Sequence, residues 1–246
     1  MRRKGGLKKI SGPAKYGPMD AFSLQRLRAM LFDFEGTLVP FAWNITEAVS
    51  EVYEMLGGLG IPAERLQGQS YSALLTEGSA MALEYGHSPQ EVRRRIEKIY
   101  DGYDEDALRR WRLRPGARAL LDRLKKEGVK TGLVTNVGRE GVLKGLAKLS
   151  LENSFEAVVT RNDVRIPKPS GEGIVRALGI LQVQRDEAVH VGDSSDDIRA
   201  ARDAGVSIIL FRPAGVRKAA DFGAVKPDFE INSFEAWVAS LGKGGH

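Results

Sequence analysis

Residues 29 to 38, Ala29-Met30-Leu31-Phe32-Asp33-Phe34-Glu35-Gly36-Thr37-Leu38, run from an unbroken apolar stretch into two carboxylates and a glycine. In an extended strand, residues i and i+2 point to the same side, so Asp33 and Glu35 present two acids to one pocket. Gly36 lets the backbone turn tightly and approach a ligand closely. A second acidic group stands far downstream in Gly192-Asp193-Ser194-Ser195-Asp196-Asp197. Three carboxylates within five residues repel one another unless a cation sits among them, which points to a hard divalent ion such as Mg²⁺. Asp196 reads as a first-turn acid favoured by a helix dipole, and Asp193 and Asp197 are the candidate metal ligands. With no cysteine and only His87, His190 and His246 as imidazoles, oxygen ligands are expected.

Two further groups could handle an anion. Thr135-Asn136 offers a hydroxyl and an amide able to hold phosphate oxygens, although both residue types also cap helices. Lys168 lies between Pro167 and Pro169, which stiffen the loop and present the ammonium where it can balance charge.

Bringing these residues together requires strands. Apolar runs at 130–135, 157–160, 188–191, 206–211 and 229–231 alternate with helical patterns at 116–127, 139–149, 171–179, 195–204 and 233–241. Such alternation with short connections specifies an α/β fold with a parallel sheet covered on both faces, and the run before Asp33 supplies another strand. Because the carboxyl ends of parallel strands share one edge, Asp33, Thr135 and Asp193 are expected to converge there. Residues 41–112 break the rhythm. Cap-type residues and apolar spacing predict helices from about 45, over 63–85 in one or two pieces, from Ser88 to about Tyr100, and over 105–111. The resulting division is a core at 29–40 and 113–246, with a helical cap at 41–112.

The 246 residues have an ordinary globular composition with 42% hydrophobic residues. No apolar run nears the ~18 residues of a membrane span, so no membrane partner and a cytoplasmic location are expected. The net charge of +5 is uneven, because residues 1–28 carry eight basic residues against Asp20 and leave −2 for the rest. This glycine- and proline-punctuated tail is expected to be flexible. Without an aromatic platform it is disfavoured as a nucleic-acid arm.

Together, Asp33-Phe34-Glu35-Gly36-Thr37-Leu38, Thr135-Asn136, Lys168-Pro169 and Gly192-Asp193 through Asp197 resemble the motifs of the haloacid dehalogenase superfamily, in order and at sensible spacing over residues 29 to 241. The likeness is to phosphatases with a small helical cap, like the phosphoglycolate phosphatase group. The resemblance implies a Rossmann-like core, with Asp33 as the nucleophile that takes the phosphoryl group. It implies Mg²⁺ held by Asp33, the backbone carbonyl of Glu35 and Asp193, with Asp197 assisting through water. Thr135, Asn136 and Lys168 are implied phosphate-binding residues, and Lys168 also supports catalysis. Family phosphatases usually carry aspartate where this chain has Glu35, the implied general acid and base.

The expected activity is therefore Mg²⁺-dependent hydrolysis of a small phosphorylated metabolite. The alternative is a weakly active or inactive phosphate-binding scaffold of the same fold. A dehalogenase has no need of the metal acids, and a phosphonatase would want a cap lysine, for which Lys98 is the single candidate in 41–112. Substrate choice should come from the cap, which begins with Phe41, Trp43 and Asn44; these could face the site, although an aromatic pair at a domain junction is more often packing. Arg139 is a candidate for a second anionic group.

Overall fold

The computed structural model describes residues 26–213 and 225–241. The expected flexible tail falls outside it as far as residue 25. Leu27 is already buried, and the Arg28 backbone bonds to Glu187 on one side and Lys130 on the other. Among the described residues the sheet has six strands. They are β1 (Ala29–Phe32), β2 (Lys130–Val134), β3 (Ala157–Val159), β4 (Ala188–Gly192), β5 (Ser207–Phe211) and β6 (Phe229–Ile231). They pair in the order β3-β2-β1-β4-β5-β6, and every pairing is parallel.

Period-two alternation explains why a sheet with two buried faces tolerates such apolar strands. Met30 and Phe32 of β1 join Leu133, Val189, Val191 and Phe211 in one core, which continues into the helical cap. Ala29 and Leu31 face the other way, into a second core with Val134, Val159, Ile208 and Leu210. Sequence order reverses around β1, with β2 on one side and β4 on the other, so the crevice above β1 is the ligand-binding point of a doubly wound sheet.

The segment between β1 and β2 is helical. α1 (Ile45–Gly58) starts at Asn44, whose side chain accepts the Glu47 amide, and buries Ala48, Val52 and Leu56. Residues 71–85 form a broken helical stretch with a π turn at Leu74–Gly78. α2 (Pro89–Arg110) then runs unbroken for 22 residues, where the sequence suggested a stop near Tyr100 and a new helix at 105. Val92, Ile96, Tyr100, Asp104 and Ala107 keep one buried stripe in register across Gly102, and that packing overrides the glycine's poor helix propensity. α3 (Ala117–Lys126), α4 (Arg139–Lys148), α5 (Glu172–Leu181), α6 (Ser195–Ala204) and α7 (Phe234–Leu241) complete a Rossmann-like core bearing a helical cap. No helix among the described residues is long and apolar enough to cross a membrane.

Candidate active site

Asp33 directly follows β1, and its amide still bonds to the Val191 carbonyl at 2.9 Å, so the ladder holds it at the strand's carboxyl end. Asp193 directly follows β4, the neighbouring strand. Carboxylate oxygens of Asp33, Asp193 and Asp197 all lie within 4.8 Å of one another. Lys168 Nζ sits between two of them, 2.7 Å from Asp33 Oδ1 and 2.6 Å from Asp197 Oδ1.

Asp197 is fully engaged. Its Oδ1 also accepts from His190 Nε2 at 3.0 Å, and its Oδ2 accepts from the Ser194 amide and hydroxyl in a capping box at the start of α6. Burial alone would raise its pKa, but the Lys168 ammonium and His190 hold it well below the usual carboxylate range. Burial likewise disfavours the charge on Lys168, and the carboxylates of Asp197 and Asp33 outweigh that and keep it protonated. Asp193 makes no ion pair among the described residues, and the Lys168 charge only partly offsets its burial. Its Oδ1 accepts the Thr37 hydroxyl at 2.9 Å, and burial together with Asp197 and Asp33 pushes its carboxyl up to about 8. Burial raises Asp33 as well, with the Lys168 charge opposing it. Three clustered hard oxygen donors with surplus negative charge fit a divalent ion such as Mg²⁺.

Two glycines make this clustering possible. Gly36 adopts φ +92, and a Cβ there would meet the Asp193 carboxylate at 2.3 Å. A Cβ on Gly192 would stand 2.2 Å from the Asp197 carboxyl carbon.

Thr135 is buried in the same cavity, its hydroxyl accepting the Val137 amide at 3.2 Å. Asn136 lines that cavity too, but its side chain is occupied with the Lys168 backbone, accepting its N–H at 3.0 Å and donating to its carbonyl at 2.9 Å. Its role in the geometry is thus to clamp the lysine loop. Glu35 Oε1 accepts the Ala42 amide at 2.8 Å and the Trp111 indole N–H at 3.1 Å. These donors stand on the two chain crossings between core and cap, so one carboxyl ties both. Burial, opposed by those two hydrogen bonds, pushes Glu35 up to about 7.

Of the remaining candidates, Arg139 does not line the cavity and pairs with Asp163. Lys98 is exposed on α2 and lines a different groove. Sequence reasoning passed over Trp111, Tyr71 and His190 as site residues. Trp111 had a signal, being a large aromatic beside the cap's return point, whereas His190 reads only as one more residue of a buried strand.

The acids at the sheet's switch point, the buried lysine and the helical cap define a hydrolase of the haloacid dehalogenase-like family. The family's sequence model matches residues 30–211, and the chain belongs to it. A phosphoglycolate phosphatase from Cupriavidus necator is 32% identical over 230 residues, spanning 87% of this chain and 92% of the relative. A pyrophosphatase PpaX from Bacillus thuringiensis is 36% identical over 112 residues, 46% of this chain and 51% of that protein. In three dimensions, CbbY from Rhodobacter sphaeroides, solved in complex with phosphate, shares the fold. Its TM-score is 0.57 at 21% identity, with 88% of this chain and 99% of that one covered.

Proposed function

We propose that this chain is a Mg²⁺-dependent phosphatase that hydrolyses a small phosphorylated metabolite through an aspartyl-phosphate on Asp33. The observation that carries the reading is the gathering of Asp33, Asp193 and Asp197 within 4.8 Å of one another, with the Lys168 ammonium between Asp33 and Asp197. The phosphatase and pyrophosphatase names of the relatives point the same way.

The Asp33 carboxylate attacks phosphorus, and the bond to the leaving oxygen breaks as Glu35 donates its proton to that oxygen. Because Glu35 Oε1 already accepts two N–H bonds, the proton resides on Oε2, which is the oxygen that gives it up. The ionised Glu35 then takes a proton from water, the water oxygen bonds to phosphorus, and the Asp33–phosphorus bond breaks. Phosphate leaves, with Asp33 and protonated Glu35 restored. Lys168 stabilises the charge on the transferring group, and Thr135 binds its oxygens, while Asn136 and Asp197 keep the ammonium in place. Asp33, Asp193 and the Glu35 backbone carbonyl would hold a divalent cation, with Asp197 assisting, and the ion would supply positive charge that lets an anionic nucleophile approach an anionic ester.

The test is phosphate release from p-nitrophenyl phosphate with and without Mg²⁺. Turnover is expected to need the metal and to vanish in Asp33→Asn. A wild-type protein that shows no turnover across pH and temperature would refute the assignment.

A further inference from the structure

The cavity above the acids, about 180 Å³, has a divided lining. Its floor is polar. The wall that would face a leaving group is built of Phe41, Trp43, Ile45, Tyr71 and Val137. Phe41 and Ile45 are among the few large apolar side chains left exposed, at 45% and 40%, and both stand at this cavity. Apolar surface kept in water beside a catalytic pocket is accounted for when a substrate covers it.

The charges point the same way. Among the described residues Lys168 is the one cationic side chain lining the cavity, and it is already paired with Asp33 and Asp197. Asp196 adds a further carboxylate to the lining, bonded to Ser72 of the cap and to Arg199 outside the cavity. A leaving group carrying its own carboxylate or phosphate would enter beside acids without a free cation to receive it, and would leave the aromatic wall without an apolar partner.

We infer that the preferred substrate is a phosphate monoester whose leaving group is uncharged and presents an apolar or aromatic face, in contrast to phosphoglycolate or pyrophosphate. The inference rests on the phosphatase reading above.

The experiment compares benzyl phosphate with phosphoglycolate and pyrophosphate by phosphate release from the Mg²⁺-loaded enzyme. Benzyl phosphate and phosphoglycolate are both primary alkyl esters, so their difference reports the pocket more than the chemistry. The expected result is a kcat/KM for benzyl phosphate at least tenfold above either anion-bearing substrate. Phe41→Arg should narrow the gap with phosphoglycolate severalfold by supplying the missing cation. Equal or better turnover of phosphoglycolate or pyrophosphate overturns the inference while leaving the phosphatase assignment standing. Should no ester be hydrolysed, the assignment falls, and calorimetric titration of the unaltered protein with the two esters in Mg²⁺ decides the pocket's leaving-group preference separately. Tighter benzyl phosphate binding upholds it, and equal or weaker binding overturns it.

Discussion

Glu35 shows how one added methylene changes the work a carboxyl can do. With Oε1 anchored by Ala42 and Trp111, its position is fixed by the cap's two crossings as well as by the loop after β1. Glu35→Gln keeps the size but removes the transferable proton, and kcat is expected to drop by about 10²- to 10⁴-fold, the usual worth of general acid–base catalysis. Glu35→Asp keeps the proton and shortens the reach, so it should retain more activity than Glu35→Gln or Glu35→Ala. Unchanged steady-state rates in all three would remove Glu35 from the mechanism. The placing of Asp33 at a strand tip was legible because an apolar run is local, whereas the strand stops at Phe32 and Glu35 reaches the same cavity from a turn, not through the period of an extended strand. The bond to Trp111 was not legible, since it joins positions 76 residues apart. Gly36→Ala probes the same loop. The backbone at φ +92 and the 2.3 Å approach to Asp193 leave no room for a methyl, so strain of about 1–3 kcal/mol is expected before the clash is counted, read as a lower urea midpoint.

At the scale of elements, α2 is fastened to the core by buried charge. Asp104 accepts from Trp43 Nε1 at 3.0 Å, from the Gly138 amide at 2.9 Å and from Arg161 at 2.8 Å, and Asp101 bonds to the same guanidinium. Arg93 adds hydrogen bonds to the carbonyls of Arg161, Val164 and Arg165. Asp104 and Arg161 are almost wholly buried, so Arg161→Met leaves a carboxylate without its cation and should cost about 3–5 kcal/mol in urea unfolding at pH 7.5. The sign of its pH dependence follows from Asp104. Burial outweighs the Arg161 charge and raises that carboxyl to about 6, so the native state holds the proton more tightly than the unfolded chain. Stability from this group is present at low pH and is lost as pH rises from about 4 through about 6. Without Arg161 the loss is larger, and the deficit of Arg161→Met should therefore shrink toward pH 5. A pH-independent deficit would show that Asp104 does not titrate there. This latch also explains the misplaced break in α2, because Asp101-Gly102 looks like a helix end until Arg161, from a distant loop, gives the acids a partner.

The whole molecule is a parallel sheet that concentrates negative charge at one edge, and its stability tests the proposed cation site there. The edge itself could be read from the alternating strands and helices, since parallel pairing forces their carboxyl ends together. The apolar cavity wall was legible only in part, since Phe41 and Trp43 were candidates at the start of the cap, while Tyr71 and Val137 join them only after the cap folds back. A ligand that binds only the folded state stabilises it by about 2.7 kcal/mol at a hundred times its Kd, which for a chain this size raises Tm by roughly 5–10 °C. Saturating Mg²⁺ is expected to do this in the wild type. Asp193→Asn should abolish the Mg²⁺ shift. Without metal the same variant should be more stable than the wild type, because burial beside Asp33 and Asp197 makes the native state hold a proton on Asp193 that the unfolded chain has released near neutral pH, and asparagine needs none. Opposite signs in one variant separate loss of a ligand from general damage to the fold. Thermal unfolding of both proteins, with and without metal, therefore tests the site independently of turnover, and a Mg²⁺ shift that survives in Asp193→Asn would place the cation elsewhere.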